Sequence, residues 1–237
     1  MAAPVIASST AVKKGETSTD LLFTYAVDGP SGLTAGELIV IETSACGASA
    51  VAFATPTDWN AIQSSASSTG SVFSGCTAFW RYYDAAELTV ALTATPNSAT
   101  SGFVAIIHRI TGAHASVPIN TSSTTTGSAG NVASLTITGV TTTVNECLVF
   151  FLAGAAATGG RTETWTGPSE IFDDLFDPGS ASSFSAATLV QTTAGATGTA
   201  LATPSASCNM TGICFAIAPP SVVTARESDR RLLLGVG

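Results

Sequence analysis

The sequence predicts an all-β fold: a single antiparallel β-sandwich of jelly-roll-like type, built from two interlocked sequence repeats and finished by a short C-terminal arm. Three observations predict it. Strand-length apolar runs recur between turn residues. No segment keeps a 3.6-residue apolar period for three turns. The second half of the chain echoes the first. Hydrophobic residues make up 45 % of the 237 and charged residues 10 %, where an average domain carries roughly 25 % charge. The apolar residues are scattered among Ser, Thr, Ala and Gly, a mixture that ranks low for helix and suits short strands. No run of about 20 apolar residues exists, so the apolar content does not imply a membrane-spanning helix.

Taken in order, the strand-like runs are "TDLLFTYAV" (19–27), "GELIVIETSA" (36–45), "DWNAIQSS" (58–65), "GCTAFWRYY" (75–83), "ELTVALTAT" (87–95) and "GFVAIIHRI" (102–110). The later segments fall over the earlier ones. "SLTITGV" (134–140) resembles the strand at 21–27, and "NECLVFFLAGA" (145–155) matches "GELIVIETSAC" (36–46) at an offset of 109. "GPSEI" (167–171) matches "TPTDW" (55–59), which puts Ile171 where Trp59 stands. "SSFSAATLV" (182–190) lies over "SVFSGCTAF" (71–79), "ATPSAS" (202–207) over "ATPNSA" (94–99), and "GICFAIA" (212–218) over "GFVAIIH" (102–108). The preserved order of these landmarks indicates duplication, with repeat one at about 17–113 and repeat two at about 132–218. Runs such as "LIVI" and "LVFF", apolar at successive positions, need cover on both faces. The halves are therefore expected to interlock as one sandwich over residues 4–219, with 114–131 as a flexible Ser/Thr/Gly-rich connection.

At "APPSVV" (218–223) a double proline ends the strand pattern, since proline cannot continue a ladder. Residues 220–237 are set apart as an arm. The body is acidic, with formal net charge −8, yet three of the six arginines, Arg226, Arg230 and Arg231, fall in this tail. They precede Leu232, Leu233 and Leu234, and all six residues are the candidates for docking to a partner. An acidic body argues against a nucleic-acid partner. The start "MAAPVIASST" has neither a basic n-region nor a long apolar h-region, so no secretory signal is expected.

Signals for chemistry are sparse. His108 lies in a strand and His114 in a turn, and no GxSxG, phosphate-binding loop or zinc spacing accompanies them. No catalytic residue, metal ligand or cofactor is accordingly expected. The five cysteines, odd in number, are expected as buried thiols. The acidic stretch "EIFDDLFD" (170–177) lacks the spacing of a calcium loop and is expected as a short helical cap or crossing loop. In "FWRYYD", alternation sends Phe79, Arg81 and Tyr83 to one face and Trp80 and Tyr82 to the other. Trp59 and Trp80 are expected in the core. Trp165 and Tyr83 are the candidate ligand-binding aromatics, a cell-surface glycan being the ligand they would suit.

The succession "T…LLFTYA", "GLTAGELIVI", "TPTDW", "FWRYYDA" and "GFVAIIHRITGA" resembles a family of bacteriophage virion proteins over residues 8–218. These are β-sandwich proteins associated with tail, tail fibre or capsid; "TPTDW" departs from the Pro-x-Gly-Trp turn of that pattern. The resemblance implies a non-enzymatic structural part of a virion, assembled in a host cytoplasm. Its partners would be other capsid or tail proteins, with no nucleic acid and no membrane, and the arm would link copies into a trimer or dimer. The rival expectations are a receptor- or carbohydrate-binding fibre domain and, further off, a glycan depolymerase.

Overall fold

The computed structural model describes residues 2–15, 20–24, 29–47, 52–67, 73–84, 89–95, 100–125, 130–157, 159, 161–176 and 181–221. Sixteen strands form among them. The first eight are β1 (Val5–Gly15), β2 (Asp20–Thr24), β3 (Leu38–Gly47), β4 (Ala52–Phe53), β5 (Asn60–Ala66), β6 (Phe73–Tyr82), β7 (Thr89–Thr95) and β8 (Thr100–Thr111). The next eight are β9 (Ile119–Thr125), β10 (Leu135–Thr138), β11 (Cys147–Ala157), β12 (Glu163–Thr166), β13 (Ser169–Phe176), β14 (Ala181–Gln191), β15 (Thr199–Pro204) and β16 (Asn209–Ile217). Every pairing is antiparallel, so the all-β expectation stands.

Four sheets result. Five-stranded β1-β8-β3-β6-β5 is accompanied by three-stranded β2-β7-β4, and five-stranded β9-β16-β11-β14-β13 by three-stranded β10-β15-β12. Adding eight to each strand number of the first pair gives the second. Three apolar layers separate the sheets. Ile39, Ile41, Phe79, Phe103 and Ile107 of the first five-stranded sheet meet Phe53 and Leu92 of its small sheet. Leu38, Val40, Val104 and Ile106 meet Phe150, Leu152, Phe184 and Phe215 in the middle layer, where the two five-stranded sheets face each other. Val149, Phe151 and Cys214 meet Leu135, Ile137 and Ala200 in the third.

This layering follows from alternation. Successive side chains of a strand point to opposite faces, so Leu38 and Val40 enter the middle layer while Ile39 and Ile41 enter the outer one. All of β3 is buried, as is β11 apart from half-buried Ala157. A two-sheet sandwich covers one face of each sheet; two small sheets on the outside supply the second cover that these runs require.

Local irregularities recur at corresponding places. β1 has a bulge at Ala7, between Ile6 and Ser8, and β9 has one at Asn120, between Ile119 and Thr121. β5 is bulged at Ile62 and β13 at Ile171. Gly36 (φ 88°) and Glu146 (φ 60°) both adopt left-handed backbone just before a central strand. Asp58 (φ 64°) and Gly167 (φ 110°) do so just before the bulged strands. The register also corrects the sequence matching. Leu148, and not Cys147, stands at the place of Leu38, because both face the middle layer. Pro168 stands at the place of Trp59, and Ile171 at that of Ile62. A match among small polar residues slips easily by one position, and such a slip exchanges the two faces.

Two other expectations are overturned. Residues 114–131 are not one long connection, since Ile119–Thr125 forms β9 and pairs with β16. Its "INTSSTT" lacks an apolar face because it is an edge strand, where Thr still favours extended backbone. Residues 170–176 form most of β13 and no helix. The bulge at Ile171 shifts the face pattern by one, which gave the apolar residues a helical spacing.

The middle layer changes character along its length. Phe150 and Phe215 stack at 4.9 Å and 7° near one end. Towards the other, Ser44, Ser65, Cys76, Ser182 and Thr211 replace them, all buried. There Ser44 Oγ donates to Ser183 O at 3.1 Å and Thr211 Oγ1 donates to Ser65 Oγ at 2.8 Å. A Cβ on Gly154 would stand 2.5 Å from Ser44 Oγ and 2.7 Å from Cys76 Sγ, so any side chain here would have to displace both. By register Gly154 is also the counterpart of Ser44: corresponding residues of the two halves touch each other, as a two-fold relation requires.

Candidate functional site

Arg226, Arg230, Arg231, Leu232, Leu233 and Leu234 lie outside the described residues; the root of the arm is described as far as Ser221. Ala218 N donates to Pro118 O at 2.7 Å and Ala218 O accepts from His114 N at 2.9 Å, so the end of β16 is clamped by the segment leading into β9. Pro219 is buried, and Pro220 and Ser221 are exposed. Tyr82 OH donates to His114 O, and His114 Nδ1 accepts from the backbone N–H of Ser116 and Val117. Beside this clamp Val117 is 62 % exposed. Val144 is exposed too, and lies close by because the Asn120 side chain bonds both Thr143 Oγ1 and Thr143 N. A depression of about 180 Å³ lined by Gly36, Leu38, Tyr82, Ile110 and Ala113 opens at the same end. It is smaller than the roughly 300–1,000 Å³ of small-molecule pockets.

The two candidate ligand-binding aromatics are not brought together. Trp165 is half-buried against the third apolar layer, and its Nε1–H donates to Ser185 Oγ at 2.5 Å. Tyr83 packs against the first layer, and its backbone pairs with Gly36 and Glu37. Trp59 is core, with the Arg81 guanidinium 5.9 Å from its ring centre, and Trp80 packs edge-on to Tyr82 at 5.6 Å.

The acidic stretch contributes to a site that sequence reasoning missed. Glu163 on β12 is 1 % exposed, accepts from Ser183 Oγ at 2.7 Å, and through its own N–H donates to Asp173 Oδ2 at 3.2 Å. Glu163 Oε2 and Asp173 Oδ1 are buried without a hydrogen-bond partner. Burial first, then the neighbouring carboxyl of Asp173, pushes Glu163 up to about 8, and burial raises Asp173 as well. Among the described residues no group of three or more His, Cys, Asp or Glu side chains is disposed to hold a metal ion. In the first half of the chain Arg109 clasps Glu37 with both arms of its fork, at 2.6 and 2.8 Å. That bond holds Glu37 down at about 2.

His108 is fully engaged. Its Nε2 lies 3.1 Å from Glu42 Oε2 and its Nδ1 2.7 Å from Ser9 Oγ, while Glu42 Oε1 is buried and unpartnered. The signal for this cluster was present in the sequence, in a glutamate and a histidine each set in a central, otherwise apolar strand. What joins them to Ser9 is strand pairing. The five cysteines are buried thiols outside any disulfide, and burial raises every one, Cys46, Cys208 and Cys214 to about 12.

Comparison with protein-family models, curated proteins and solved structures returns no match to this chain.

Proposed function

We propose that this chain is a structural component of a bacteriophage virion, an accessory or decoration protein of the capsid or tail that oligomerises or attaches through its C-terminal arm. The observation that carries the reading is the root of that arm. The last strand is clamped at Ala218 and followed by buried Pro219 and exposed Pro220, beside exposed Val117 and Val144. The arginine–leucine segment that follows this root in the sequence has the chemistry to engage an acidic neighbour. The resemblance of residues 8–218 to virion β-sandwich proteins supports the same assignment.

The block itself is read as a duplicated jelly-roll-like sandwich. Each half supplies a five- and a three-stranded sheet about its own apolar layer, and the two interlock through the middle layer. The matched bulges and left-handed residues favour duplication over chance. The test is deletion of residues 221–237. The truncated protein is expected to keep its β-sheet circular dichroism and melting temperature, while light scattering shows a trimer or dimer reduced to monomer, or particle attachment is lost. Assembly unchanged by the deletion would overturn the arm's role.

A further inference from the structure

The middle layer holds one polar chain that the second half of the molecule does without. Ser9 pairs with His108 across β1 and β8, and Glu42 lies on the adjacent β3, two residues beyond the partner of His108. The register places Ser122, Phe215 and Leu152 at the corresponding positions of the second half. Strand pairing therefore does not demand a buried glutamate and histidine here, and burying them costs desolvation that Leu and Phe avoid.

In the tautomer that carries its proton on Nε2, His108 donates to Glu42 Oε2, and Nδ1 accepts from the Ser9 hydroxyl. This is the order nucleophile, base, orienting acid. His108 and Glu42 are 1 % and 0 % exposed, whereas Ser9 is exposed on an edge strand and follows the bulge at Ala7. β13 packs across β8. There the bulge residue Ile171 is 38 % exposed, against 9 % for its counterpart Ile62 on the opposite, closed seam.

We propose that Ser9 is a nucleophilic serine, with His108 as its general base and Glu42 as a positioning residue, and that it takes the acyl group of a small carboxylic ester. Ser9 Oγ bonds to the ester carbonyl carbon as its proton passes to His108 Nδ1. The carbon–alkoxide bond then breaks, and the alkoxide leaves with that proton as an alcohol. Water adds to the acyl-serine with His108 again as base, and the bond to Ser9 Oγ breaks to give a carboxylic acid and the free serine. Outward backbone N–H groups of edge strand β1 are the donors on hand for the oxyanion.

The full chain is treated with p-nitrophenyl acetate and, separately, with a fluorophosphonate, followed by intact-mass measurement and peptide mapping. A single adduct at Ser9 and p-nitrophenol release above buffer are expected, and Ser9→Ala, a change at an exposed position, should abolish both. The double variant His108→Phe with Glu42→Leu installs the second half's residues; it should stay folded and acylate about a hundredfold more slowly or less. Glu42→Gln should slow acylation and Glu42→Asp restore part of it. Absence of an adduct at Ser9 in the folded protein, or an unchanged rate in the double variant, would overturn the proposal.

Discussion

The two halves share strand order, bulges and left-handed turns, yet they line the middle layer differently. The first contributes Glu42 and His108, the second Leu152 and Phe215 at the corresponding positions. Around His108 the imidazole lies 5.8 Å from Phe150, and around Phe215 the same Phe150 ring is stacked. The comparison separates two kinds of information. Alternation and turns set which face a residue enters, and a leucine or a glutamate will serve there as long as its partners are provided. What the polar pair adds lies outside the requirements of the fold.

The largest expected effect breaks the apolar half of the comparison. Phe215→Ala removes a fully buried ring from the stack and should cost about 3–5 kcal/mol, read from urea unfolding. The polar half breaks differently. His108→Phe alone strands a buried carboxylate and should cost about 3–5 kcal/mol, while adding Glu42→Leu should return stability to at least the starting value. If the double variant is as unstable as the single one, the two halves are not interchangeable and the comparison fails. Gly154→Ala presses a methyl group onto Ser44 and should cost about 1–3 kcal/mol, with Ser44→Gly relieving part of it in the double variant.

The smallest effect is a pH dependence of opposite sign in the two halves. Glu163 is raised from 4.5 to about 8, so the folded state holds its proton longer than the unfolded chain. Its contribution is full below about 4.5 and is lost as pH rises towards about 8; Glu163→Gln should flatten that part of a stability–pH curve. Glu37, held down at about 2 by Arg109, contributes above its ordinary 4.5 and loses that contribution as pH falls through about 2. Thermal melts from pH 2 to 9 on the wild type, Glu163→Gln and Glu37→Gln would resolve both slopes.

The central strands were legible because "LIVI" and "LVFF" are apolar at successive positions, which only a strand covered on both faces satisfies. Four sheets in place of two do not follow from these runs, since composition does not say what supplies the cover. β9 was hidden because an edge strand of Ser and Thr carries no apolar alternation. β13 was misread because a single bulge turned a period of two into something closer to four. Ser9, Glu42 and His108 are far apart in sequence and meet only through the register of three strands. No local spacing encodes that meeting.

β3 and β11 are each paired on both edges and covered on both faces. No local fluctuation can expose their amides to solvent without parting two sheets at once. Hydrogen exchange there should proceed only through global unfolding, so the deuterium uptake of these two strands is a direct readout of the free energy of the whole molecule. Edge strands β1 and β9 should exchange well before them. The molecule thus carries, at its centre, its own gauge of cooperativity.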